Sequence, residues 1–180
     1  MQLAQTTELE VRYSALRHLD RMYGYALSLT RNPTEAEDLV QETYLRAWRA
    51  IEKLRPDSNV KNWLTTIMRN IRLNHLRSAK TGAVIDTNYS ATATFDFQDK
   101  FSKDPHDSYL TKVEAAMVRD AVDTLPPRYR EVIILREFED LSYSDIAKVL
   151  DCPIGTVTSR LGRAREQLKD LLEPSFGKGD

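Results

Sequence analysis

The chain has 180 residues, 41% of them apolar, and a formal net charge of −1 at pH 7; this length suits one ordinary domain or two small ones, and the apolar share gives each a core, which excludes disorder throughout. A near-neutral total points to no polyanionic partner by itself, and the single cysteine, Cys152, excludes an intramolecular disulfide and a thiolate metal site and fits a reducing compartment. With no signal-peptide stretch and no run of ~18 apolar residues, the chain is expected to be cytoplasmic, neither secreted nor inserted in a membrane.

Strand signals are scarce, whereas apolar residues at three and four spacing recur from Val11 to Ile71 and again from Leu110 to Leu172, so an all-α fold of two helical blocks is expected. In the first block, Asn32-Pro33-Thr34-Glu35 supplies an N-cap, a proline at the first helical position and an acid at the third, which predicts a helix from there to about Ile51. Its inward side is Ala36, Leu39, Val40, Thr43, Tyr44, Ala47 and Ile51; Asp38, Gln41, Glu42, Leu45 and Arg49 share the opposite side. Lys53 to Asn59, with Pro56-Asp57-Ser58-Asn59, reads as a loop, and a further helix is expected from about Val60 to Ser78. From Lys61 to Lys80 there are five basic residues and no acidic ones.

Thr81 to Ser108 contains Gly82, Pro105, many short polar residues and no sustained helical period. That composition suits a flexible linker, and so long a structureless stretch argues for two domains, placed at 1–80 and 110–175 with the linker at 81–109. Acidic residues gather between Asp86 and Asp120 and again from Glu137 to Asp151, whereas Pro153 to Lys169 holds four basic residues against the single Glu166. Two basic segments kept apart by acidic ones fit a binder of one long polyanion at two places.

The second block carries the most specific pattern. Leu125-Pro126-Pro127 opens a helix with Tyr129, Val132, Ile133 and Leu135; Ser142-Tyr143-Ser144-Asp145 starts a capping-box helix through Leu150; Asp151-Cys152-Pro153 breaks it. A last helix follows from about Ile154 to Leu172, with Ile154, Val157, Leu161, Ala164, Leu168 and Leu171 as its apolar series. Short helix, tight break and longer basic helix make a helix-turn-helix. With that series inward, Thr156, Ser159, Arg160, Arg163 and Gln167 face outward, and hydroxyls near the helix N-terminus with arginines beyond them suit a major groove and its phosphates. The plainer alternative for this helix alone is a solvated arginine face.

Leu125-Pro126-Pro127-Arg128-Tyr129-Arg130-Glu131-Val132, Leu141-Ser142-Tyr143 to Ile146-Ala147, and Gly155-Thr156-Val157-Thr158-Ser159-Arg160-Leu161 to Arg163-Ala164-Arg165 together resemble the C-terminal domain of bacterial sigma factors. Asp38-Leu39-Val40-Gln41-Glu42-Thr43-Tyr44-Leu45-Arg46-Ala47-Trp48 resembles the same family's most characteristic helix. The order and spacing of the two matches, and the absence of the further domains of housekeeping sigma factors, are those of the extracytoplasmic-function group. The resemblance implies that Asp38, Gln41, Glu42, Leu45 and Arg46 meet the clamp helices of the largest polymerase subunit. An exposed leucine among charges fits that role, since it gains nothing in water.

The resemblance further implies that Lys53 to Lys80 melts the promoter and holds its minus-ten element. Capture of unstacked bases calls for amides, hydroxyls, flat side chains and cations; Leu54, Asn59, Lys61, Asn62, Thr65, Arg69, Asn70 and Arg72 are the candidates, with Ser58, Trp63 and Arg77 nearby. Trp63, four before Ile67, reads as core rather than as a stacking platform, and Thr65 stands where many relatives have an aromatic residue. The minus-thirty-five element falls to Thr156, Thr158, Ser159, Arg160, Arg163 and Arg165. Core RNA polymerase, promoter DNA and an anti-sigma factor are the implied partners. The segment Asp86 to Asp107 is either an RNA mimic or an inert tether. No cofactor and no catalysis are expected: His106 beside Asp107 and Ser108 makes no triad, His18 and His75 have no ligand partners at metal spacing, and no phosphate-cradling glycine loop is present. Two alternatives stay open, a dimeric helix-turn-helix regulator and a sigma mimic that sequesters an anti-sigma factor.

Overall fold

The computed structural model describes residues 10–54, 58–82 and 108–176, and every regular element among them is helical. The chain divides into two compact units, Met1–Ala93 and Thr94–Asp180. Most of the expected linker lies outside the described residues, as does the segment Asp86 to Asp107; only its two ends are seen, where one helix runs on to Gly82 and the next begins at Ser108.

The first unit has helix α1 (10–16), α2 (Leu19–Thr30), α3 (Pro33–Ala50), a 3-10 turn at Ile51–Lys53, and α4 (Val60–Gly82). The chain reverses between α2 and α3 over two residues. Arg31 takes the left-handed conformation at φ 57°, its amide donating to the Leu27 carbonyl at 2.8 Å, a closure more often given to glycine. Asn32 then caps α3, its side-chain oxygen accepting from the amides of Thr34 at 2.9 Å and Glu35 at 3.2 Å, and Pro33 occupies the first helical position. This is the start the local sequence dictates. The three long helices pack on one another through Met22, Tyr25, Leu64, Met68 and Ile71, all fully buried, and burial of each such side chain stabilises by about 1.5–3 kcal/mol. Tyr44 adds a polar tie: its hydroxyl donates to the Ala15 carbonyl at 2.8 Å, joining α3 to α1. Burial first, and then the charge of Asp20, push that phenol up to about 12.

In the second unit α5 (Ser108–Thr124) and α6 (Pro127–Ile133) are followed by a widened π turn at Ile134–Phe138, then α7 (Tyr143–Leu150) and α8 (Ile154–Phe176). Helix α8 packs on α5, α6 and α7. The core joins Val132, Leu135, Leu141, Ile146, Val157 and Leu161. Periodicity alone does not foresee the π turn. It accompanies a run from Val132 to Leu135 that is buried at every position, and successive residues of an α-helix point about 100° apart, so such a run has no outward face to betray where the helix widens. Ser142 caps α7 by accepting from the Asp145 amide at 3.1 Å, and its hydroxyl donates to the Asp145 carboxylate at 2.6 Å. The return contact thus falls on the hydroxyl, aspartate being one methylene shorter than the glutamate of the usual box. Helix α7 ends on Asp151, left-handed at φ 49°, while the Cys152 amide donates back to the Ala147 carbonyl at 3.0 Å, the Schellman pattern. The Pro153 carbonyl, accepting from Thr156 at 2.9 Å, opens α8.

The apolar series expected to line α8 is corrected at both ends. Val157, Leu161 and Ala164 are buried, but Ile154 is 53% and Leu171 43% exposed, and Leu168 is half-buried. Spacing identifies a stripe and not where the packing partners stop. The helix also continues past Leu172, with Pro174 near its end, and α4 outruns its expected end at Ser78.

Candidate partner and nucleic-acid interfaces

Helix α3 separates its faces as its sequence predicts. Ala36, Leu39, Val40, Thr43, Tyr44, Ala47 and Ile51 are buried; Asp38, Gln41, Arg46 and Arg49 are exposed, Glu42 is half-buried, and Leu45 is 60% exposed. Leu45 therefore stands as an apolar knob within a charged arc. Glu42 is held from two sides, by Arg46 one turn on and by His75 Nε2 of α4 at 3.0 Å. Partly exposed pairs of this kind contribute about 0–1 kcal/mol, so their consequence is orientation of the Glu42 carboxylate more than stability.

The minus-ten candidates divide once α4 is in place. Asn62 and Arg69 are half-buried and Asn70 is exposed, on the side of α4 turned away from Leu64, Met68 and Ile71. Lys61 and Leu54 are half-buried. Asn59 is exposed, and its side-chain oxygen is spent capping α4, accepting from the Asn62 amide at 3.1 Å. Ser58 is half-buried and Arg77 exposed. Trp63 is half-buried, so it is neither wholly core nor a free platform.

Two candidates are engaged within the unit, one by burial and one by an ion pair. Thr65 is fully buried, its hydroxyl donating to the Lys61 carbonyl at 2.9 Å, and cannot meet a base in this conformation. It neighbours Leu64 on the inward arc of the helix, where a threonine is admitted because its own backbone satisfies the hydroxyl. Arg72 pairs with Glu35 of α3 at 3.1 Å with its side chain 21% exposed, and so joins the two helices. Arg17 and Arg21, which the sequence does not single out, join Lys61 here: the His18 imidazole is held below its ordinary value by burial first and then by Lys61, Arg21 and Arg17. Those three charges, scattered in sequence, therefore act on one place near the start of α4.

On α8, Thr158 and Ser159 are exposed and Thr156 and Gln167 half-buried. The Thr158 hydroxyl donates to the Ile154 carbonyl at 3.1 Å and that of Ser159 to the Thr156 carbonyl at 3.0 Å, which leaves the lone pairs of both oxygens as acceptors. The three arginines differ. Arg165 donates to Glu137 at 2.8 Å and to the Tyr143 hydroxyl at 3.4 Å, tying α8 to the π turn and to the first residue of α7. Arg163 is exposed and lies beside the Tyr129 hydroxyl, an interaction that raises the guanidinium and lowers the phenol. Arg160 is half-buried and makes no hydrogen bond or ion pair with the described residues. Among the described residues there is no group of His, Cys, Asp and Glu side chains suited to a metal ion, and no helix long and apolar enough to cross a membrane.

Comparison with known proteins matches each of the two units to a family model. Residues 15–81 match the model of Sigma-70 region 2 and residues 115–168 that of Sigma-70, region 4. The chain is 37% identical over 163 residues to the RNA polymerase sigma-H factor of Pseudomonas aeruginosa, covering 88% of this chain and 84% of that one. It is 35% identical over 162 residues to the ECF RNA polymerase sigma factor EcfG of Rhodopseudomonas palustris, covering 90% and 84%. Among solved structures, the sigma factor RpoE of Bartonella quintana, crystallised with the anti-sigma factor NepR, matches with a TM-score of 0.69 and 29% identity over 91% of this chain and 97% of that one.

Proposed function

This chain belongs to the extracytoplasmic-function group of the sigma-70 family, and from that premise we propose how its two units divide the work of directing core RNA polymerase to promoters. The first, 1–80, docks on the polymerase clamp through Asp38, Gln41, Glu42, Leu45 and Arg46 of α3, and opens and holds the minus-ten element through α4. The second, 110–175, reads the minus-thirty-five element through α8. Residues 81–109 connect them. The protein contributes no bond-making chemistry and works in the cytoplasm, where its promoters are.

The observation that carries this reading is the arc of α3. A leucine 60% exposed amid Asp38, Gln41, Glu42 and Arg46 leaves an apolar contact unmade, and docking on a protein partner removes it from water while the charges around it set register. Neither DNA surface has to bind tightly. Once polymerase fixes their separation, the second contact becomes intramolecular, which multiplies affinity roughly 10²–10⁴-fold over either contact alone. Arg160 is the base reader on α8, having no hydrogen bond or ion pair with the described residues, whereas Arg165 serves to fix the helix-turn-helix. An anti-sigma partner, of the kind captured with the Bartonella protein, covers the α3 and α8 surfaces when the factor is silent.

Replacing Asp38 and Gln41 together with alanine tests the docking claim: core polymerase affinity falls while the thermal melt stays put. A shifted melt with unchanged affinity contradicts it. A pull-down from native cells that yields polymerase and no second partner contradicts the anti-sigma part. A stable dimer that binds duplex DNA without polymerase supports the helix-turn-helix regulator instead.

A further inference from the structure

Helix α4 ties itself to α3 at two places about a turn apart. Arg72 reaches Glu35 at 3.1 Å, and His75 Nε2 lies 3.0 Å from the Glu42 carboxylate. The two ties have different surroundings. Glu35 stands in the first turn of α3, outside the docking arc, whereas Glu42 stands within that arc, one turn after Asp38 and one turn before Arg46, with Leu45 alongside. His75 therefore reaches the polymerase-facing surface from a helix that the docking arc does not include.

Arg46 holds Glu42 through Oε1 and His75 holds it through Oε2, so each oxygen of the carboxylate has its own partner. With Arg46 alone the group could turn about its last torsion, which is broad; with both oxygens taken, one orientation is left. Nε2 must carry a proton to sit 3.0 Å from a carboxylate oxygen, since two lone pairs at that distance repel, and the imidazole serves this purpose whether neutral or charged. All three side chains are partly exposed, His75 at 51%, Arg46 at 45% and Glu42 at 33%, and pairs as open as these add little to folding stability. What they change is the number of orientations open to Glu42 before a partner arrives.

The geometry points to His75 as a positioning residue for polymerase docking: together with Arg46 it fixes the Glu42 carboxylate in the orientation that α3 presents to core polymerase. His75 acts through Glu42 and need not touch the polymerase itself. An interfacial side chain ordered beforehand does not have to be ordered on binding, and for one rotamer-rich side chain that difference amounts to roughly 2–10-fold in affinity. Helix α4 thereby takes part in docking, in addition to the minus-ten role proposed for it. The inference rests on the reading of α3 as the helix that docks on polymerase.

The test measures the affinity of the full chain for core polymerase, without promoter DNA, together with the thermal melt of the chain. His75→Ala is expected to weaken core binding roughly 2–10-fold with the melt unchanged, and His75→Gln, whose amide can donate to Glu42 in place of Nε2, recovers most of the loss. In a Glu42→Ala background, His75→Ala should cause no further loss. Glu35→Gln breaks the other tie between α3 and α4 and is expected to leave core affinity unchanged. Equal losses from His75→Ala with and without Glu42 overturn the inference, as does a loss of the same size from Glu35→Gln, which would trace the effect to helix packing. An unchanged affinity for His75→Ala overturns it as well, if replacing Asp38 and Gln41 still lowers core binding. If that double replacement has no effect either, the reading of α3 fails first and the inference falls with it.

Discussion

Helices α4 and α8 have the same length, 23 residues each, and each is rich in cations, yet they use those cations differently. On α4, Arg72 reaches across to pair with Glu35 of α3, so part of the charge fastens α4 to α3. On α8, Arg165 is bound in a similar way by Glu137, Arg163 rests beside a tyrosine, and Arg160 makes no hydrogen bond or ion pair with the described residues. Position along a basic helix therefore does not say whether an arginine is available to DNA. What decides is whether another element places a carboxylate within reach.

Two buried tyrosines show the same contrast. Tyr44 lies between apolar neighbours and the charge of Asp20 and is pushed up to about 12, whereas Tyr129, flanked by Arg128 and Arg163, is lowered. The first unit joins its helices through a neutral phenol; the second uses a phenol to place cations. Because the Tyr44 value is raised above the ordinary 10, its contribution to stability is complete below pH 10 and is lost as pH climbs from 10 to about 12.

The largest effect that separates the two units is expected from Leu161→Ala, which removes a fully enclosed side chain from the second core and costs about 2–5 kcal/mol. A melt of the full chain should show the second unit opening early while polymerase binding through α3 survives. Loss of both at once would mean that the units do not fold independently. Next comes Arg160→Ala, expected to weaken promoter binding by about 1–3 kcal/mol and to relax selectivity at one base pair of the upstream element; equal loss on every sequence would make Arg160 a phosphate contact. Arg165→Ala should act on stability instead, by about 0–1 kcal/mol since the pair is half exposed, with promoter selectivity retained. Tyr44→Phe sharpens the contrast of the tyrosines. Unfolding of the first unit by alkali between pH 10 and 12 should become shallower, and an unchanged profile would assign that transition to another group. Smallest is Gly162→Ala. A Cβ there meets no atom within 4 Å, so α8 should gain up to about 1 kcal/mol in helical stability, and any accompanying loss of promoter affinity would mark a place where the helix backbone approaches DNA closely.

Much of the fold was legible because it is set locally. Asn32 and Ser142 announce their helices through side chains that reach amides two or three residues away, and the α3 stripe announces its buried face. What escaped inspection depends on partners distant in sequence. The Arg72–Glu35 and Arg165–Glu137 contacts join residues 37 and 28 positions apart, and nothing near Arg165 in the sequence distinguishes it from Arg160. Thr65 misled because a hydroxyl that bonds its own helix can be buried as readily as a valine. Ile154 misled in the opposite sense, as a hydrophobic residue at a helix start that extends beyond its packing partners. On the candidate surfaces, residue types were readable and availability was not.

The measurement closest to the central claim is the affinity of the full chain for a promoter fragment with and without core polymerase. Alone, the chain should bind weakly and hardly distinguish a promoter from random duplex. With core present, binding should tighten by roughly 10²–10⁴-fold and require both promoter elements at their native spacing. Tight, selective binding by the isolated chain, unaltered by polymerase, would contradict the account.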